Sequence, residues 1–125
     1  MNYYTSDKAP KAIGPYSQAV SVGNTYYLSG QTPIDPATGK LVEGGFEAST
    51  HQVFKNLGAV LAEAGLSYAN VVKASVFLID FADFPAMNAI YASYFGDHKP
   101  ARSTVQVAKL PLGAPIEIDF IAVRE

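Results

Sequence analysis

Each of two helical segments in this chain carries a single apolar stripe, and that constrains the fold more than any other feature. Between Glu47 and Ala64 the apolar side chains are Val53, Phe54, Leu57, Val60, Leu61 and Ala64, recurring at three- and four-residue steps. That spacing predicts an amphipathic helix with one buried face. Ser49 or Thr50 stands at its start, as a cap or in the first turn, and Gly65 is placed to end it. A second helix is predicted over Phe84 to Phe95, with Asp83 as N-cap, Pro85 in the first turn and Gly96 as terminator. Its apolar side holds Phe84, Met87, Ile90, Tyr91 and Tyr94. A helix with one stripe needs one surface to bury it against, so both helices require a second layer.

That layer is predicted to be a sheet. Gln18 to Val22 and Thr25 to Ser29 flank Gly23-Asn24, a two-residue turn signal, and form a hairpin. Gly30 to Gly45 holds Pro33, Asp35-Pro36 and Thr38-Gly39 and reads as a loop. Val71 to Ile79 is β-branched and aromatic, which suits an interior strand. Two late strands follow, near Ser103 to Ala108 and Ile116 to Val123, joined by the stiff segment Leu110-Pro111-Leu112-Gly113-Ala114-Pro115. The expected architecture is α+β: one mixed sheet with two helices on one face. The other sheet face is left without cover. In the last strand Ile116, Ile118 and Phe120 alternate with Glu117 and Asp119, yet Ile121 and Val123 fall on the carboxylate side. That half-apolar outer side points to burial by another subunit.

Composition agrees. The chain has 125 residues, expected to be a single domain over 1–125. Charged residues are 16% and hydrophobic ones 49%, which leaves little charge to cover so small a surface and favours self-association. Net charge is -2, and Lys8, Lys11, Lys99, Arg102 and Lys109 form no run, so generic nucleic-acid binding is not expected. The chain has no cysteine, which removes disulfides and thiolate chemistry together. The residues Met1 to Asp7 lack a signal-peptide layout, and apolar runs such as Val76 to Ile79 are far too short to span a bilayer. A soluble, cytoplasmic protein is expected.

Familiar catalytic constellations are absent. His51 and His98 have no paired metal-ligand spacing and read as solvated surface residues, so no metal site is expected. There is no G-x-S-x-G, no P-loop and no G-x-G-x-x-G. What remains is a set of polar residues in apolar surroundings. Arg102, before the strand Ser103-Thr104-Val105, is either an ordinary surface arginine or a bidentate carboxylate clamp. Glu117 is either a solvated strand residue or, in a partly dry cleft, a proton shuttle to water. A hairpin of the last two strands would put Arg102 and Glu117 at opposite ends. Tyr16, in Gly14-Pro15-Tyr16-Ser17-Gln18, carries a hydroxyl that wants a partner if buried, and in Ser29-Gly30-Gln31 the glycine allows a ligand close to the backbone.

Four blocks together resemble the Rid/YjgF family of reactive-intermediate deaminases. They are Ile13-Gly14-Pro15-Tyr16-Ser17-Gln18-Ala19, Leu28-Ser29-Gly30-Gln31, Pro100-Ala101-Arg102-Ser103-Thr104-Val105 and Ile116-Glu117-Ile118. The resemblance covers nearly the whole chain in order and spacing. It implies a chorismate-mutase-like fold and a homotrimer with three clefts between subunits. It also implies hydrolysis of the enamines and imines 2-aminoacrylate and 2-aminocrotonate to 2-keto acids and ammonia, that is, a 2-iminobutanoate/2-iminopropanoate deaminase with no cofactor. By position, Arg102 corresponds to the arginine that binds the substrate carboxylate and Glu117 to the glutamate that positions or activates water. Tyr16, Ser29 and Gly30 correspond to cleft-lining residues, and Asn88 and Thr104 are further candidates for substrate binding. Where many members carry cysteine, this chain has Thr104. Deamination is expected to survive that change, thiol-based regulation is not, and substrate preference is left open. Phe84 and Met87, with Tyr16, are expected to shape the cleft. Two other readings stand beside the enzyme: a non-catalytic trimer sensing keto acids or amino acids, and an RNA-acting endoribonuclease or translation inhibitor. The presence of both Arg102 and Glu117 favours the enzyme, since binding alone needs only the arginine.

Overall fold

A computed structural model describes residues 1–125. Six strands form one mixed sheet: β1 (Asn2–Tyr4), β2 (Ala19–Val22), β3 (Thr25–Gln31), β6 (Val71–Leu78), β7 (Ala101–Gln106) and β8 (Ile116–Val123). Their order across the sheet is β1-β2-β3-β8-β6-β7. Only β6 and β7 run parallel, and the helix α2 (Phe84–Phe95) makes the crossover that parallel neighbours require. The expected hairpin of the last two strands is not formed, because β6 lies between β7 and β8. β6 is an interior strand, as its β-branched composition anticipates, and β7 takes the edge.

The predicted loop Gly30–Gly45 contains a small second ribbon, β4 (Ile34–Asp35) paired with β5 (Lys40–Leu41). Its two-residue strands are too short for any periodicity to announce. The first helix, α1, spans Gly45–Glu63. Neither Ser49 nor Thr50 caps it. Gly44, at φ 112°, turns the chain in, and the Thr50 hydroxyl donates back to the Phe46 carbonyl at 2.9 Å inside the helix. The end is as predicted: Gly65 takes φ 76°, its N–H reaches the Ala62 carbonyl, and the Leu66 N–H reaches Leu61. This is a Schellman stop, with Leu66 buried beside it. For α2 the bounds agree with expectation, but Asp83 makes no side-chain cap. Asp80 does the capping one turn earlier, accepting from the Ala82 N–H at 2.9 Å.

Both helices cover one sheet face. The Phe120 ring lies 6.3 Å from Phe54 of α1 and 5.8 Å from Phe95 of α2. On that side Ile116, Ile118, Phe120 and Ala122 of β8 are buried, together with Ala74, Val76 and Leu78 of β6. On the other side Glu117, Asp119, Ile121 and Val123 alternate at half-buried positions, and Tyr27, Val72 and Val105 stand exposed. No helix is long and apolar enough to cross a membrane.

Candidate active site

Apart from Thr104, the polar residues singled out above as site candidates gather in two clefts, one on each side of the sheet. The first is built on β7 and α2. Arg102 pairs with Ala74, whose side chain is buried on the helix side, so the arginine also points there. Its guanidinium lies 4.7 Å above the Tyr91 ring and 5.6 Å from the Phe84 ring, and Nη1 donates to Asn88 Oδ1 at 2.8 Å. Asn88 and Tyr91 are one helical turn apart, which is why both reach the same partner. Around this guanidinium runs a cleft of about 410 Å³ lined by Asn88, Tyr91, Ala92, Phe95, Gly96, His98, Lys99, Pro100 and Arg102. Not one of these is an acid. Arg102 is thus a partly buried cation held in place by ring stacking and a neutral acceptor, with its charge uncompensated. Such a group suits a small carboxylate, which a planar guanidinium grips with two parallel hydrogen bonds.

Burial also raises the pKa of the Tyr91 phenol, against the pull of Arg102. Tyr91 is 7% exposed, and neither its hydroxyl nor the buried Thr104 Oγ1 has a hydrogen-bond partner. The Thr104 hydroxyl is therefore inaccessible within one chain. Phe84 reaches the guanidinium, but Met87 is wholly buried in the core and does not shape this cleft as expected. His98 is not a free surface group. Its Nε2 donates to the Val71 carbonyl at 2.6 Å, which ties the segment before β7 to the start of β6. His51 is exposed and shares a 2.8 Å hydrogen bond with the Tyr94 hydroxyl.

The second cleft, of about 570 Å³, lies across the sheet. Tyr16, Ser29, Gly30 and Glu117 all line it, with Lys11, Ile13, Gln18, Gln31 and Leu112. A β-bulge makes it. Leu28 pairs with Phe120 and Gln31 with Ile118, so three steps along β3 match two along β8, and Ser29 and Gly30 together oppose Asp119. The bulge brings Gly30 against Glu117. A Cβ on residue 30 would sit 2.5 Å from Glu117 Oε2 and 2.9 Å from its Cδ. Glycine is needed here for room, since its φ is ordinary. The Ser29 hydroxyl donates to the Ser17 carbonyl at 2.6 Å, which holds the Tyr16 segment against the bulge. Buried Gln18 pins the same segment from below. Its Oε1 accepts from the Ser6 N–H at 2.6 Å and its amide donates to the Ser6 and Pro10 carbonyls.

Glu117 is flanked by Gly30 and by Phe77, its partner on β6. Loss of water pushes its carboxyl above the ordinary range, and the charge of Asp119 pushes in the same direction. A carboxyl so placed holds its proton more tightly and is better suited to moving protons than an ordinary solvated carboxylate. At the rim, Leu112 is 70% exposed and held at φ 58°, a left-handed conformation that costs a leucine free energy. Sequence reasoning missed Leu112, Lys11 and the supporting role of Gln18. A glutamine inside an apolar strand start was the one legible signal. No three acidic or histidine side chains come together to hold a metal ion.

Within one chain the two clefts share no residue. Arg102 and Asn88 are together, Tyr16, Ser29, Gly30 and Glu117 are together, and the sheet separates the sets.

The endoribonuclease L-PSP family profile matches residues 6–124. The 2-iminobutanoate/2-iminopropanoate deaminase of Mus musculus is 51% identical over 120 residues, covering 96% of this chain and 89% of that protein. Among solved structures, RidA of Psychrobacter sp. superposes with a TM-score of 0.96 at 46% identity, covering 99% of this chain and 100% of that one. TdcF of E. coli, solved with bound serine, superposes with a TM-score of 0.95 at 38% identity, covering the whole of both chains.

Proposed function

This chain belongs to the endoribonuclease L-PSP family, also called YjgF/Rid, and from that premise we propose that it is a 2-iminobutanoate/2-iminopropanoate deaminase working in the cytoplasm. Relatives at about 50% identity bearing that name support a hydrolytic deaminase acting on a small imine. The observation that carries the reading is Arg102: a partly buried guanidinium, stacked on Tyr91, in a cleft without a single acid. It is a preformed seat for the carboxylate of a 2-imino acid.

The reaction needs little more. The enamine 2-aminoacrylate tautomerises to 2-iminopropanoate. Water adds to C2, the resulting carbinolamine loses ammonia, and pyruvate remains. Arg102, held by Asn88, fixes the carboxylate and so orients C2; positioning of this kind lowers a barrier by several kcal/mol. Glu117 takes a proton from the attacking water and delivers one to the departing nitrogen, a role worth roughly 10²–10⁴-fold. The raised proton affinity of its carboxyl suits both directions. The backbone of the Ser29-Gly30 bulge and the Tyr16 hydroxyl orient the substrate, and the backbone near Thr104 assists. No cofactor takes part.

Since the sheet keeps Arg102 from Glu117 within a chain, we assign the working cleft to the junction of two chains in a homotrimer. One chain supplies Arg102, Asn88 and Thr104; its neighbour supplies Tyr16, Ser29, Gly30 and Glu117. Apolar Tyr27, Val72, Val105 and Ile121 on the uncovered sheet face are the surface such an assembly would bury. The test generates 2-aminoacrylate in place with a serine dehydratase and follows pyruvate. Acceleration by the protein, lost in Arg102→Ala with the assembly intact, is the expected result. No acceleration by the folded wild-type protein would leave a small-ligand sensor as the better reading. RNA cleavage that survives in Arg102→Ala would favour the activity named in the family description.

A further inference from the structure

Asp119 stands beside Glu117 on the uncovered face of β8 and takes no step in the proposed reaction. Residues two apart on a strand share a face at roughly 7 Å. The strands around this pair are arranged in rows. Directly across from Asp119 is Ser75 of β6, and beyond it Ser103 of β7. Across from Glu117 is Phe77, and beyond it Val105. On the other flank both Ser29 and Gly30 of the bulge oppose Asp119, while Gly30 packs on the Glu117 side chain. The bulge is therefore centred on the acidic pair.

The charged and titratable groups that meet the pair are few. From β6, Lys73 lies one row along from Ser75, opposite Ile121, and acts on Asp119. From β3, Tyr27 shares that row, also opposite Ile121. From the N-terminal segment, Lys11 and Tyr16 line the Glu117 cleft. β7 contributes no titratable side chain to these rows. Burial raises the Asp119 carboxyl above its ordinary range, and the Ser75 hydroxyl and Lys73 oppose part of that rise by favouring the anion. Across the sheet from Glu117 there is neither a cation nor a hydroxyl, only apolar Phe77 and the bulge. The two carboxyls are thus unequal by construction.

We infer that Asp119 is a positioning residue that acts through Glu117: with Ser75 opposite it and Lys73 one row along, it gives up its proton before Glu117 does, and so makes Glu117 the carboxyl of the pair that carries the proton. Two like charges on one strand face, partly out of water, each make the other harder to form. The one with a cation and a hydroxyl donor ionises first, and the other retains its proton. This inference rests on the proton-shuttle role proposed for Glu117, and it assigns what sets that role.

The test has two arms. In the first, the side-chain carboxyl carbon of Glu117 is titrated by NMR in the assembled wild-type protein, in Asp119→Asn and in Asp119→Glu. In the second, kcat/KM for keto-acid formation is followed against pH in the same proteins. Asp119→Asn is expected to move the Glu117 titration to lower pH and to carry the acid limb of the rate profile with it. At a fixed acidic pH, activity relative to each protein's own plateau should then rise severalfold. Asp119→Glu, which keeps the charge, should leave both near the wild-type position. An unmoved Glu117 titration in Asp119→Asn overturns the inference. So does an equal displacement in Asp119→Glu, because the effect would then be packing rather than charge. A wild-type protein that forms no keto acid would refute the deaminase reading instead, and the NMR arm alone would still decide whether Asp119 governs the Glu117 proton.

Discussion

Replacing Gly30 by alanine separates the function of the bulge from its stability. The added Cβ would meet Glu117 Oε2 at 2.5 Å, Cδ at 2.9 Å and Cγ at 3.1 Å. Contacts this short cannot stand, so one partner must move. The backbone at residue 30 has no positive φ, and alanine adds no strain there. What moves is the far end of Glu117, a flexible side chain with an open cleft beside it. The cost to folding is about one off-rotamer torsion, roughly 0.5–1.5 kcal/mol. The cost to catalysis is larger. A displacement of about 1 Å of a reacting group typically costs on the order of 10²-fold. Gly30→Ala should therefore lower kcat/KM for keto-acid formation by about 10²-fold while urea unfolding shifts only slightly. Measured on a Glu117→Gln background, the same change should cost little more, since the group it displaces is already disabled. Full activity in Gly30→Ala would refute the placement of Glu117 at the reacting centre. A large additional loss on the Glu117→Gln background would show that Gly30 acts by another route.

Three further outcomes are expected. Thr104→Val removes a buried hydroxyl that has no partner and should stabilise the chain by about 1 kcal/mol, read as a higher urea midpoint; a lower midpoint would mean the hydroxyl is bonded in the assembly. Leu112→Asn places a residue that tolerates the left-handed region where a 70% exposed leucine now sits, and should raise Tm through a gain of up to about 1 kcal/mol; a fall in Tm would mean the leucine packs against a neighbouring chain. Glu117 and Asp119 both hold their protons more tightly folded than unfolded, so their contribution favours folding most below the ordinary carboxylate range and declines as pH rises through the raised values. Urea midpoints compared at about pH 4 and about pH 8 should show a smaller decline in the Glu117→Gln/Asp119→Asn double variant than in wild type.

The fold was legible where side chains repeat. The stripe from Val53 to Leu61 and the alternation from Ile116 to Phe120 each state which face is buried, and both are buried as stated. The outward turn of Ile121 and Val123 marked the uncovered face. Strand order was not legible, because nothing in β7 or β8 says that β6 will come between them. Short elements such as β4 and β5 lack the length for a period, and the helix starts depended on the backbone turn at Gly44 and on the Asp80 side chain rather than on the polar residue nearest each predicted start. At the site, spacing alone left Arg102 and Glu117 ambiguous. Their chemistry comes from what surrounds them: Tyr91 under one, Gly30 and Phe77 beside the other. Those neighbours arrive from distant segments, and only a folded chain brings them in.

The central claim is that Arg102 of one chain and Glu117 of the next complete a single hydrolytic cleft. Subunit complementation tests it directly. Arg102→Ala and Glu117→Gln proteins, each inactive alone, are unfolded together in equal amounts, reassembled, and assayed for pyruvate formation from 2-aminoacrylate generated in place. Random mixing in a closed ring restores both groups in roughly one cleft in four, so about a quarter of wild-type activity should return. A mixture as inactive as its two components would contradict the claim and place both groups, if they act at all, in the service of the same chain.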